Sequence, residues 1–286
     1  MKTAKERSHL DMKIGNCVIF RSAETIEKQL NNLKKLGMDN CQIVSWHTEL
    51  WTDENAELLK RITKELGITI SGFWCGWEGP ADWNFYSGQL TLGLVPPEYR
   101  QMRIQNLCDG SDFAKKLGVT DVITHMGYIP ENPYDPNFAP LCIAIRTVAR
   151  HCKKNGQYLL FETGQETPVA MLRCFEQVGE ENLGVNLDTA NLILYGKANP
   201  VDALHMLGKY VRNIHAKDGL YPVNGHDLGK QVPVGEGVVD FPAFIRKLKE
   251  IGYDSYITIE REIKGDQLDR DVIAAKEYLE KLIAEA

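Results

Sequence analysis

The chain has 286 residues, with 33 Lys and Arg against 39 Asp and Glu and a net charge of -6. Hydrophobic residues make up 43%, enough for a sizeable core, and the acidic balance argues against a phosphate-neutralising nucleic-acid surface. No apolar run approaches the ~18 residues of a membrane helix, and the charged start MKTAKERSHLDMK lacks the apolar centre of a signal peptide.

The first strand signal is IGNCVIF (Ile14–Phe20), a short run rich in β-branched residues. TIEKQLNNLKKLG follows, with Ile26, Leu30, Leu33 and Leu36 spaced for one face of a helix and Gly37 as its stop. CQIVSW (Cys41–Trp46), the helical DENAELLKRITKELG and ITISGFW (Ile68–Trp74) repeat the pattern. A long connection from Cys75 to Pro97 leads to helical RIQNLCDGSDFAKKLG and then to a fourth strand signal, DVITHMG (Asp121–Gly127). Four more strand signals follow: QYLLFE (Gln157–Glu162), LGVNLD (Leu183–Asp188), VRNIHAKD (Val211–Asp218) and SYITIE (Ser255–Glu260). Between them lie PVAMLRCFEQVG, PVDALHMLG, a second long connection from Gly219 to Val239, and DFPAFIRKLKEIG.

In four places a Leu-Gly or Ile-Gly pair closes a helix just before the next strand, the signature of a left-handed glycine cap. Alternating strands and helices imply parallel pairing, and eight such units without a linker fit an α/β fold made of a single (β/α)8 TIM barrel over residues 1–286. A doubly wound open sheet is the alternative, but CVIFRSAE lacks the glycine-rich phosphate turn expected after its first strand. Both long connections follow strand ends on the face where barrels assemble their sites, so they are expected to form lids or substrate walls. The five glycines of the second, at 219, 225, 229, 235 and 237, suggest a mobile backbone. The seven cysteines are scattered without a CxxC spacing and read as mostly buried free thiols, which suits a cytoplasmic protein.

Glu162, Asp188, His215 and Glu260 lie at the ends of strand signals five to eight, consecutive neighbours around a barrel. Any one of them alone reads best as a strand cap or a partner for a loop Lys or Arg. Four in one register on consecutive strands read as a mixed oxygen and nitrogen ligand set for one divalent ion, Mn foremost, with Mg, Co or Zn as alternatives. Without a cation, carboxylates so close together would repel one another.

FETGQE, NLDTAN, NIHAKDG, PVGEGVVDFPAF and ITIERE resemble the xylose-isomerase-like sugar isomerase/epimerase superfamily, which includes D-tagatose 3-epimerase-like enzymes and inosose isomerases. The resemblance covers nearly the whole chain and is strongest from Gln157 to Ile263. It implies a (β/α)8 barrel whose metal ligands are Glu162, Asp188, His215 and Glu260, with Glu162 and Glu260 also exchanging protons on opposite faces of a sugar. The implied chemistry is isomerisation or epimerisation of a sugar or cyclitol through a metal-stabilised enediolate. The chain departs from the 3-epimerase pattern in three places. Asn191 stands where a histidine is common, Pro168 where a second glutamate is common, and Lys217 is the basic group nearest to an absent loop arginine. These departures bear on the substrate and leave the ligand set intact.

Among other candidates, His125 at the end of the fourth strand signal is expected to shuttle a proton or contact a hydroxyl. Strand alternation points Lys217 to the same side as His215, and Glu262 to that of Glu260. Trp46, Trp74, Trp77 and Trp83 fit either sugar-stacking platforms or packing under a loop. Trp46, Trp74, Asn191, His47 (beside Glu49) and His226 complete the expected substrate contacts.

The alternative function is a lyase or hydratase on 3-oxo-glycosides, including C-glycoside cleavage with a small partner subunit. An apurinic-site endonuclease would need a basic face and a histidine-rich multinuclear site. A non-catalytic sugar-binding barrel would have no need of a tightly held ion. The expected partner is a small sugar or glycoside, with no nucleic acid and no membrane. The chain is expected to work as a homo-oligomer or with a small second subunit.

Overall fold

The computed structural model of the chain describes residues 11–286, so the N-terminal charge pattern, apart from its last three residues, lies outside the described residues. Eight parallel strands close into a barrel: β1 (Lys13–Ile19), β2 (Asn40–Ser45), β3 (Thr69–Cys75), β4 (Asp121–Thr124), β5 (Tyr158–Glu162), β6 (Leu183–Asp188), β7 (Val211–Ala216) and, last around the ring, β10 (Tyr256–Ile259). β10 pairs with both β7 and β1, which closes the ring. The two strands between, β8 (Asp218–Leu220) and β9 (Lys230–Val232), form a separate antiparallel ribbon on the second long connection. The single closed barrel expected from the alternating pattern is the fold observed.

Local chemistry sets the helix ends. In α1 (Ala23–Lys35), Ser22 accepts the Thr25 N–H at the N-terminus, and Ile26, Leu30 and Leu33 are buried against the barrel. Thr52 does the same for α2 (Asp53–Leu66), which ends on Gly67 at φ +60°. Gly37, Gly118 and Gly252 also have positive φ, so four such pairs are left-handed helix stops, whereas Gly208 after Leu207 keeps φ -52° and the chain runs on into a short turn of 3-10 helix. Two helices that carry no such signal, Phe138–Lys154 and Asp266–Glu285, complete the outer ring.

β4, β5, β7 and β10 are shorter than their apolar runs. β4 ends at Thr124, because the chain turns at Gly127, where φ is +91°. His125 therefore sits just above the strand. All seven cysteines are free, five of them buried and Cys17 and Cys108 half-buried. Among the described residues no helix is long and apolar enough to cross a membrane.

The second long connection is more firmly built than its glycine content suggests. The buried Asp218 carboxylate accepts the backbone N–H groups of Gly235, Gly237 and Val239 at 2.9–3.2 Å and so gathers in the returning end of the loop. A Cβ on Gly237 would lie 2.1 Å from Asp218 Oδ1, so this glycine permits close approach rather than motion.

Candidate active site and metal centre

The register of the barrel assembles the quartet. Asp188 and His215 are directly paired across β6 and β7, and Glu162 pairs with Asn186, two residues before Asp188 on β6. Glu260 follows β10, with its N–H on the Ala216 carbonyl. One ligand atom from each of Glu162, Asp188, His215 and Glu260 lies within 4.8 Å of all the others. Nδ1 of His215 faces Glu162 Oε1 at 3.1 Å, Glu260 Oε2 at 3.3 Å and Asp188 Oδ2 at 3.8 Å.

The surroundings hold each group in place. Asp188 Oδ1 accepts the Asn191 N–H at 2.6 Å, and Thr163 Oγ1 bonds both to the Asp188 N–H and to its carbonyl. Glu162 takes the indole N–H of Trp74 on Oε2 and the Asn191 amide on Oε1 at 3.3 Å, with His125 Nε2 at 3.6 Å from the same oxygen. Lys217 is buried with its ammonium 3.1 Å from Glu260, 2.8 Å from Glu262 and 3.9 Å from Asp188.

Burial disfavours every ionised group here, and the neighbours decide the outcome. Burial raises the Asp188 carboxyl to about 7, with Lys217 opposing and the charges of Glu260 and Glu162 adding to the rise. Against the same burial, Lys217 and His215 hold Glu260 well below the usual carboxylate range, and His125 and His215 lower Glu162. His215 is raised well above an ordinary imidazole, chiefly by Glu162, although burial works the other way. Burial lowers His125 below an ordinary imidazole, with Glu162 and Glu260 opposing.

An aromatic wall faces this ionic centre. Trp46 packs at 4.9 Å from Trp74, 5.1 Å from Trp77 and 6.1 Å from Trp83, ring centre to ring centre. Trp83, 41% exposed, meets His125 edge-on at 5.1 Å. The buried Arg103 secures the first long connection by donating to the carbonyls of Glu78, Pro80 and Gly93 and lying over Trp77. The two long connections meet where Tyr86 and His226 stack, with the phenol hydroxyl on the imidazole Nδ1.

The family described as xylose isomerase-like TIM barrel matches residues 30–282. The chain belongs to this family. Its similarity extends to a solved xylose isomerase domain protein from Planctomyces limnophilus, at 33% identity over 96% of this chain and 100% of that one, with a TM-score of 0.89. A curated inosose dehydratase of Geobacillus kaustophilus is 26% identical over 167 residues, 52% of this chain and 54% of that protein. A solved D-tagatose 3-epimerase-like protein shares the fold, with a TM-score of 0.74 at 22% identity over 96% of this chain and 99% of that one.

On the xylose isomerase-like barrel, the expected residues fall into three groups. Glu162, Asp188, His215, Glu260, His125, Lys217 and Asn191 come together at one mouth. Trp46 and Trp74 stand beside them, but Trp74 is buried with its N–H on Glu162, which makes it a support for that carboxylate rather than an open stacking face. His47 is exposed and bonds Glu49 at 3.0 Å, and His226 is exposed on the far loop against Tyr86.

The same mouth contains groups that pattern reading passed over. Gln165, Glu166 and Tyr195 are buried, with polar side-chain atoms that lack a hydrogen-bond partner among the described residues. Burial lifts Glu166 to about 8. The signal was present in FETGQE, where two polar residues follow a strand end, but chain spacing alone does not distinguish a buried turn from a solvated one. Asp188 Oδ2, also buried and without a hydrogen-bond partner, lies among the carboxylates of Glu162 and Glu260, where a cation would satisfy it. The donor set of three carboxylates and one imidazole fits a divalent ion of the Mn, Mg, Co or Zn type.

Proposed function

We propose that the protein is a divalent-metal-dependent isomerase or epimerase of a sugar or cyclitol. The observation that carries this reading is the convergence of Glu162, Asp188, His215 and Glu260 within 4.8 Å. A bound divalent ion supplies Lewis acidity to a substrate carbonyl, which makes the adjacent C–H acidic enough for a carboxylate base. Glu162 is then one base, held on Oε2 by Trp74, and Glu260 the other, held by Lys217. Two carboxylates on separate strands can exchange protons on opposite faces of one carbon. His125 lies 3.6 Å from Glu162 and is suited to contact a hydroxyl. Trp83 and Trp46 offer indole surface to the C–H face of a ring.

The inosose dehydratase relative supports a second reading, in which the same base removes the proton and a group β to the carbonyl departs. Lys217 would then stand close enough to Glu260 for the pair to protonate the leaving group. Both readings are tested by incubating the Mn2+-loaded protein with ketoses, inososes and 3-oxo-glycosides in D2O and following them by NMR. Deuterium entry with inversion or aldose–ketose conversion supports the isomerase. Elimination without exchange into any free sugar replaces it with the lyase.

A further inference from the structure

The imidazole of His215 has two edges, and two donor sets compete for it. Nδ1 faces the oxygen-rich quartet, while Nε2 faces Cys17 Sγ at 3.8 Å, and Cys17, His215 and Glu260 form a second, overlapping group of metal-type donors. Between them stands a residue that strand periodicity marked only as part of a strand. Gln42, on β2, reaches across the barrel interior and accepts the Nε2–H of His215 on Oε1 at 2.7 Å. Its own amide nitrogen donates to Asn186 Oδ1 on β6 at 3.1 Å. All three side chains are fully buried, so water does not replace these bonds.

We propose that Gln42 is the positioning residue that makes His215 a one-edged ligand, fixing the hydrogen on Nε2 and committing Nδ1 to the quartet. The physical reason is complementarity of donors and acceptors. To serve as a ligand the imidazole must be neutral with one N–H, and a buried amide oxygen 2.7 Å from Nε2 keeps that hydrogen there, so the proton given up is the one on Nδ1. The other nitrogen then turns its lone pair toward Glu162, Asp188 and Glu260. Outer partners of this kind commonly set metal affinity, although this one is an amide from the opposite wall of the barrel rather than a neighbouring carboxylate.

The inference rests on the metal reading above, and its test separates the two. Chelator-stripped protein is titrated with Mn2+ and followed by the EPR signal of the free ion. Gln42→Met, close in shape but without an acceptor, is expected to weaken binding by about 10–100-fold. Gln42→Glu keeps an acceptor, and Asn186 Nδ2, which has no partner among the described residues, can turn to donate to it. That variant is expected to bind within a few-fold of wild type. Wild-type affinity in Gln42→Met, or equal loss in both variants, overturns the proposal alone. Wild-type protein that binds no Mn2+ overturns the metal centre and the proposal together. Should Gln42→Met fail to fold, wild-type protein with 15N-labelled histidine and 113Cd2+ decides the matter. Coupling of cadmium to Nδ1, with the proton on Nε2, is expected, and cadmium on Nε2 overturns it.

Discussion

The two halves of the barrel mouth are built from different chemistry. The wall formed by β5, β6, β7 and β10 carries Glu162, Asp188, His215, Lys217 and Glu260, all tied to one another by charge. The wall formed by β2, β3 and the connection after β3 carries Trp46, Trp74, Trp77 and Trp83, packed ring on ring. One half supplies ionic donors in a fixed register, and the other supplies shape and a water-poor boundary. The contrast has a physical use. Charge interactions strengthen when water is excluded, so an aromatic wall opposite an ionic centre raises the effect of every carboxylate there. The walls meet where the Trp74 N–H reaches Glu162 and where Gln42 reaches His215 and Asn186.

The sharpest way to break this division is to remove one of the two proposed bases. Glu162→Gln or Glu260→Gln is expected to lower solvent-deuterium exchange into a competent substrate by about 10²–10⁴-fold with a much smaller change in substrate binding. Equal rates in both variants and wild type would remove the ionic wall from the chemistry. Next in size, Trp74→Phe keeps the ring and deletes only the N–H on Glu162. Titration of the stripped protein should show metal affinity reduced by about 10–100-fold, whereas unchanged affinity would make Trp74 plain packing.

A smaller effect concerns Glu166 on the ionic side. Burial lifts its carboxyl from 4.5 to about 8, so the folded chain keeps a proton that the unfolded chain has already released. Stability should therefore fall as pH rises from about 4.5 towards 8, contributing at most about 1.4 kcal/mol per pH unit. Glu166→Gln should flatten that slope in denaturant melts, and a slope equal to wild type would count against a protonated Glu166. Smallest of all, Trp83→Ala on the aromatic side should weaken sugar binding by about 1 kcal/mol while leaving metal affinity as it was. Calorimetry on each ligand separately checks both halves of that statement.

The ionic wall was the more legible of the two. Its residues occupy strand ends, where a two-residue period and parallel register fix position from the chain alone, and FETGQE, NLDTAN, NIHAKDG and ITIERE each place one member of the quartet in that frame. The barrel was legible for the same reason, since the Leu-Gly and Ile-Gly pairs at Gly37, Gly67, Gly118 and Gly252 are left-handed helix ends. Loop geometry was not. Nothing in the composition of the second connection told that Asp218 would gather three backbone N–H groups, or that Gly237 serves close approach rather than motion. Gln42 was hidden because a polar residue in an apolar strand can face core or solvent, and only the closed ring shows it reaching β6 and β7. Trp74 was ambiguous between stacking and packing until its N–H was seen on a carboxylate.

The central claim is that the ionic wall is one metal centre. Elemental analysis of purified protein, paired with the Asp188→Asn variant and with chelator treatment, tests it most directly. About one divalent ion per chain is expected in wild type, with that ion lost from Asp188→Asn while the barrel stays folded by circular dichroism. Exchange activity should disappear in chelator and return with Mn2+. Wild-type protein that carries no ion, accepts none on titration and remains fully active in chelator would contradict the account.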